Sequence, residues 1–300
     1  TAAASEAQPF VPTVVSRRPI DIRTSHSGAS ISQLSAESSP IRVVLPYVAD
    51  SLLRIAPERA QGLIPQLRKL KIEFVNEERT LFMEAIASEL RIRISIAALE
   101  YLWVVSYCAF ALQSVLQKVH PNGHPLRFAD FPEAEGIPTL LSWAIRRVDP
   151  RDFDAARLHW PTGTPTPPTS DGADQEGSSM SHVATEIMLC ACAWILHHEL
   201  AHIIAGDAGS DADGIDGERR ADMAATEWVL GHAAAEPALT KRGVGIAAAL
   251  VSITGYDLAF PRAASSRLTH PDASERINTC LSHVAFGADH VTHQVAVDTL

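Results

Sequence analysis

Residues 193–206, AWILHHELAHIIAG, contain an H-E-x-x-H pattern inside an apolar run. On a helix, His198 and His202 are four residues apart and therefore lie on the same face. Two imidazoles at this spacing can bind one Zn²⁺ ion and leave positions for a third ligand and a water. Glu199 lies beside them, where a carboxylate can take a proton from a water that the metal activates. The pattern predicts a metal site on a long helix from about residue 181 to 205.

A second helical pattern begins at Glu218 and ends near Gly231. Glu218 and Asp222 are four residues apart and share a helix face. Glu218 is the natural third metal ligand, and Asp222 is placed to fix the tautomer of a ligand histidine. The alternative is that both are acids near a helix N-terminus, where the helix dipole favours negative charge.

A third motif, T-H-P at residues 269–271, is followed by Arg276 and Ile277. Pro271 is suited to the first position of a helix. In this order, H-E-x-x-H, E-x-x-A-D and T-H-P with R-I resemble the gluzincin metallopeptidases of the CAAX-protease and heat-shock membrane-protease class. They also resemble the soluble relatives of that class, including the phage-exclusion peptidases.

The resemblance implies a catalytic site by position. His198, His202 and Glu218 would bind Zn²⁺, and Glu199 would be the general base. The fold would be zincin-like, with a long buried active-site helix.

Further roles follow from the same resemblance. Asp222 would brace the site, His270 would face the substrate or the oxyanion, and Arg276 would anchor the region of Asp222. From the residues alone, Tyr256 is a candidate oxyanion donor, and a half-buried structural tyrosine is the alternative.

Composition limits the partners of the chain. Its net charge is −10 over 300 residues, with no basic cluster longer than a pair, which argues against nucleic acid. The four cysteines lie in apolar contexts and are predicted to be buried free thiols of a reducing compartment, with disulfides as the alternative. Residues 1–5 lack the basic and apolar regions of a secretory signal, so we expect a cytoplasmic location.

Three apolar runs, at residues 94–116, 184–196 and 244–260, approach membrane length. Each is shorter or more polar than the roughly 20 apolar residues that a bilayer requires. They are predicted to be buried core helices, without stable insertion into a membrane.

The predicted architecture is mainly α-helical with a small β-sheet, an α+β fold. Residues 1–40 are predicted to be a flexible arm and residues 41–300 a metallopeptidase domain. Residues 161–179, dense in Pro, Thr, Gly and Ser, are predicted to be a mobile loop placed to regulate access to the metal.

The sequence also gives element boundaries. Strands are expected at 41–45, 69–75, 80–86 and 90–94, with 80–86 as the hairpin partner of 69–75. Helices are expected at 47–55, 96–118 (capped by Ser95), 137–148, 152–158, 181–205, 218–230, 244–259 and 271–286.

These observations predict a zinc-dependent endopeptidase that acts on an intracellular protein. The resemblance to phage-exclusion peptidases implies a dedicated target cut in response to infection, with translation factors as the family precedent. The alternatives are a catalytically inactive, zinc-stabilised interaction module and a membrane-associated protease.

Overall fold

A computed structural model of the chain describes residues 39–67, 69–75, 83–119, 131, 134–152, 159–168, 179–206, 214–231, 236–260, 271 and 273–282. These residues are mostly helical and include one three-stranded mixed sheet, as the α+β prediction requires. The helices are α1 (Leu45–Arg54), α2 (Ala60–Leu67), α3 (Ile96–Val119), α4 (Ile137–Arg147), α5 (Met180–Ala205), α6 (Gly214–Leu230), α7 (Glu236–Ala259) and α8 (Ala273–Ser282). The strands are β1 (Lys71–Val75), β2 (Met83–Ile86) and β3 (Arg91–Ser95).

Helix α5 lies at the centre of the fold and packs against α1, α3, α6, α7 and the sheet. Its N-terminus is capped by Ser179, whose hydroxyl accepts a hydrogen bond from the amide of His182 at 3.3 Å. Its C-terminus ends at Gly206, which adopts the left-handed conformation (φ 75°) that glycine tolerates best. The predicted helix at 181–205 is therefore confirmed almost to the residue.

Helix α7 packs so closely on α5 that one crossing point requires glycine. A Cβ atom on Gly245 would lie 2.2 Å from the Cβ of Cys190. Lys241 forms an ion pair with Glu186 at the same interface. These two contacts pair the N-terminal halves of the two helices, so α7 runs alongside α5 in the same direction.

The sheet has the strand order β1-β3-β2, with β3 parallel to β1 and antiparallel to β2. The prediction that 80–86 forms a hairpin with 69–75 is therefore wrong, because β3 lies between them. Ile92 and Ile94 of β3 are fully buried. Such burial on one face suits the central strand of a sheet, and that position is not visible in the alternating pattern that all three strands share.

Residues 41–45, predicted as a strand, are also different in the structure. Pro40–Val44 forms a 3₁₀ helix that leads directly into α1. Ser39 caps it by accepting a hydrogen bond from the amide of Ile41 at 3.3 Å. The β-branched residues that favour a strand here instead place Ile41 and Val44 against the core.

Other boundaries are close to the predictions. Ser95 caps α3 through a 3.0 Å hydrogen bond from the amide of Ala98, as expected. Helices α6 and α7 begin earlier than predicted; Pro237 stands in the first turn of α7, where a missing N–H costs nothing. The predictions for 1–38, 76–79, 153–158, 169–178 and 283–286 lie outside the described residues.

Two described helices, Ile96–Val115 within α3 and Met180–Ala205, are long and apolar enough to cross a bilayer. The expectation that the runs at 94–116 and 184–196 are too short or too polar for this is therefore wrong. Their most apolar windows are 83% and 61% buried inside the protein. The core helix of a globular protein passes the same test, so this property is weak support for a membrane location. All four cysteines are buried free thiols, as predicted.

Candidate active site

Three potential metal ligands converge where α5 packs against α6. The Nε2 atoms of His198 and His202 are 3.1 Å apart, and the two carboxylate oxygens of Glu218 lie 3.5 and 3.4 Å from them. Ligands bound to zinc at tetrahedral angles, each at about 2.0–2.1 Å, are separated by about 3.3 Å. The side chains are 8%, 13% and 14% exposed, so they are partly shielded from solvent. The donor set and its spacing fit a zinc ion.

Asp222 lies behind the first of these ligands. Its Oδ1 is 2.9 Å from Nδ1 of His198, the separation of a charge-assisted hydrogen bond, although the ring N–H is not well aligned with it. A proton on Nδ1 leaves the lone pair of Nε2 directed at the other two ligands. Asp222 therefore favours the tautomer that a metal needs.

Arg276 of α8 holds Asp222 in turn. Its Nε and Nη2 donate to the two carboxylate oxygens at 2.8 and 2.7 Å, and both side chains are buried. The guanidinium also lies 5.9 Å from the ring of Trp194, whose Nε1 donates to the hydroxyl of Thr226 at 2.9 Å. Buried polar side chains, Arg276, Asp222 and His198, thus connect α8 to α6 and α5.

The charges of the site are strongly coupled. Burial disfavours the charged form of His198, but hydrogen bonds and attraction from Asp222, Glu218 and Glu199 outweigh it and raise the pKa of His198 to about 9. Burial also opposes ionisation of Asp222, yet hydrogen bonds from His198 and Arg276 keep the pKa of Asp222 below its ordinary value. Without a metal, the site thus carries a proton near neutral pH, and a metal cation would displace it.

Glu199 faces the sheet as well as the ligands. Its Oε2 accepts a hydrogen bond from the main-chain amide of Ala85 in β2 at 2.8 Å. Burial raises the pKa of Glu199 above its ordinary value, and attraction to His198 and His202 offsets this only in part. A carboxylate with a raised pKa is a stronger base than one in water.

Sequence reasoning did not find Ala85. A main-chain amide has no residue-type signal, and the sequence predicts the wrong partner for β2, which pairs with β3 and not with β1. Only the tertiary structure shows which strand lies next to Glu199.

Two other predicted site residues are not brought to this centre by described contacts. Tyr256 lies on α7, where its ring packs against Phe260 with 5.0 Å between centroids. His270 lies outside the described residues, between the end of α7 and the buried Pro271. Their suggested roles stay predictions.

Comparison with known proteins defines the class. The sequence model of the Peptidase U49 family matches residues 92–296, which include all but the first residue of β3 and every described helix from α3 to α8. The chain is also 31% identical over 262 residues to the cell death peptidase of Escherichia coli (strain K12), and the alignment covers 84% of each protein. No solved structure matches.

The protein is therefore a peptidase, a hydrolase of peptide bonds. It belongs to the Peptidase U49 family.

Proposed function

We propose that this peptidase is a zinc-dependent endopeptidase of the gluzincin type. The observation that carries the proposal is the convergence of His198, His202 and Glu218, whose ligand atoms all lie within 4.8 Å of one another. Glu199, the proposed general base, directly follows His198 in the sequence. The same four residues are those that the H-E-x-x-H and E-x-x-A-D motifs assign to gluzincins.

When bound, zinc would supply Lewis acidity and make a water acidic enough to attack at neutral pH. Glu199 accepts the proton of that water on its carboxylate and delivers it to the nitrogen of the leaving amine. Asp222 keeps Nδ1 of His198 protonated throughout, and Arg276 neutralises the charge of Asp222. The low exposure of the three ligand side chains shields the metal site itself from bulk water.

We further propose an intracellular protein as the substrate and the cytoplasm as the location. The four free, buried cysteines fit a reducing compartment. The relative in Escherichia coli is named a cell death peptidase, and that name supports a target whose cleavage harms the cell. A translation factor cut during phage infection fits this description and the resemblance to phage-exclusion peptidases.

An inactive, zinc-stabilised interaction module is the second candidate. Such a module requires the three metal ligands, but it does not require a general base. Glu199 is present and accepts a hydrogen bond from the main-chain amide of Ala85, which favours the enzyme. A membrane-associated protease is less well supported, because the apolar helices are largely buried in the protein.

The test compares three proteins for zinc content and peptide cleavage. Wild type should hold one zinc per chain and cut peptides. Glu218→Ala should lose most of its zinc, because two imidazoles alone bind the ion weakly. Glu227→Ala is the matched control, since Glu227 lies on the same helix with its side chain 65% exposed.

Glu199→Gln separates the enzyme from the interaction module. The variant should keep its zinc and lose cleavage by several orders of magnitude, since glutamine cannot accept the proton. Cleavage at the wild-type rate by Glu199→Gln would show that the proposed mechanism is wrong. Wild type without zinc, prepared free of chelators, would rule out both candidates.

A further inference from the structure

We propose that the main-chain N–H of Ala85 is a positioning group for Glu199, so that the edge strand β2 determines how well the base works. The inference rests on the proposed function and adds to it a residue that no motif contains. It is carried by one hydrogen bond and by the direction in which the amide points.

The hydrogen bond joins the sheet to the catalytic helix. The amide nitrogen of Ala85 lies 2.8 Å from Oε2 of Glu199, a distance typical of a charge-assisted hydrogen bond. Glu199 is partly buried. A hydrogen bond to a shielded carboxylate restrains the side chain more strongly than one exposed to water.

The direction of the amide follows from the ladder of the sheet. The amide of Lys71 donates to the carbonyl of Leu90 at 2.9 Å, so the main-chain groups of residue 90 point towards β1. Because these directions alternate along a strand, the groups of Ile92 also point to β1, and those of Arg91 and Arg93 point to β2.

Ala85 is paired with Ile92 of β3, whose main-chain N–H and C=O form their hydrogen bonds with β1. Ala85 and Ile92 are therefore a non-hydrogen-bonded pair, and the amide of Ala85 points out of the sheet from its edge. An outward amide on an edge strand has no partner in the ladder. Here the carboxylate of Glu199 is that partner. The hydrogen bond to Glu199 therefore costs β2 none of its hydrogen bonds to β3.

The hydrogen bond from Ala85 affects whether Glu199 can act as a base. His198 and His202 both attract the carboxylate of Glu199. An unrestrained carboxylate beside a metal and two histidines can turn towards the ion and become a further ligand, in which case it no longer accepts a proton. With Oε2 held on β2, the second oxygen of Glu199 remains available as the base.

A main-chain donor can be removed without changing the side chains around it. Ala85→Pro deletes the N–H, and proline is tolerated on an edge strand where the N–H faces outward. We expect a roughly 10- to 100-fold lower kcat, the effect of losing one hydrogen bond to a charged group. KM and zinc content should stay close to wild type, because substrate binding and the three ligands are not altered.

Met83→Pro is the matched control. Met83 pairs with Ile94, two residues before Ala85, so its amide also points outward, and it makes no described hydrogen bond to Glu199. This variant should keep the wild-type kcat. A second variant replaces the peptide bond between residues 84 and 85 by an ester, which removes the same N–H with less steric change. If Ala85→Pro does not fold, the kcat of the ester variant tests the inference.

The probe is the quenched fluorescent peptide that wild type cuts fastest in a random peptide library. A lower kcat in Ala85→Pro or the ester variant, with KM, zinc and Met83→Pro unchanged, supports the inference. Wild-type kcat in the ester variant overturns it and leaves the proposed function intact. A wild-type protein that binds zinc but cuts no peptide overturns the proposed function, and the inference with it.

Discussion

Arg276 and His198 share one oxygen atom of Asp222. Oδ1 lies 2.7 Å from Nη2 of Arg276 and 2.9 Å from Nδ1 of His198, while Oδ2 accepts the second hydrogen bond from the arginine at 2.8 Å. The last described helix, α8, is thereby connected to a metal ligand on α5 through a single carboxylate. Four predictions follow from this arrangement and from the packing around it.

Arg276→Met should strongly destabilise the protein. It removes the buried guanidinium that pairs with Asp222 and leaves that carboxylate with His198 alone; breaking a buried ion pair costs about 3–5 kcal/mol. The free energy of unfolding of the zinc-free protein in urea measures the effect. Arg219→Met is the control, because Arg219 pairs with Glu275 between the same two helices but is half exposed, and its loss should change stability little.

Asp222→Asn should weaken zinc binding while retaining the size of the side chain. Loss of the carboxylate behind a ligand histidine lowers metal affinity by about 10- to 100-fold. Competition against a zinc chelator of known affinity measures the change. Glu227→Gln, on the same helix but exposed, should bind zinc as wild type does, and equal affinities in both variants would contradict the role given to Asp222.

The stability of the zinc-free protein should fall with rising pH. The pKa of His198 is about 9 in the folded protein, above the ordinary value of about 6.5. A raised pKa stabilises the folded state fully below pH 6.5, and this contribution disappears as the pH rises through about 9. Unfolding experiments between pH 6 and 10 measure it.

The zinc-bound protein gives the contrast for the pH experiment. A histidine bound to zinc is deprotonated, so its proton contributes nothing to folding in the holoprotein. The fall in stability over this range should therefore be smaller with zinc. An equal fall in both forms would contradict the assignment of His198 as a ligand.

Gly245→Ala should destabilise the packing of α7 on α5. The added Cβ would lie 2.2 Å from that of Cys190, so the two helices must separate, at a cost of about 1–3 kcal/mol. Thermal unfolding measures it. Gly62→Ala on α2 is the control, since nothing lies within 4 Å of the added Cβ, and alanine in an open helix position should stabilise slightly.

The metal site could be predicted from the sequence because its spacing is helical. His198 and His202 lie one turn apart on one helix, and Glu218 and Asp222 lie one turn apart on another. Periodicity then places each pair on one face, whatever the rest of the fold. The structure brings the two faces together, with Arg276 behind them.

The sheet could not be predicted in the same way. Strand pairing depends on which neighbour buries the most apolar surface, and β1, β2 and β3 have similar alternating patterns. The order β1-β3-β2 places β2 at the edge beside α5. The contact between Ala85 and Glu199 depends on that order, so it was not visible in the residues themselves.

The site is dispersed along the chain, because it draws on Ala85, on His198 and Glu199, on Glu218 and on Arg276. All of these groups can therefore meet only after residues 85–276 have left the ribosome. Fragments cut before α8 contain the H-E-x-x-H motif but lack the arginine that neutralises Asp222. The order of residues along the chain therefore delays completion of the site until α8 has been synthesised.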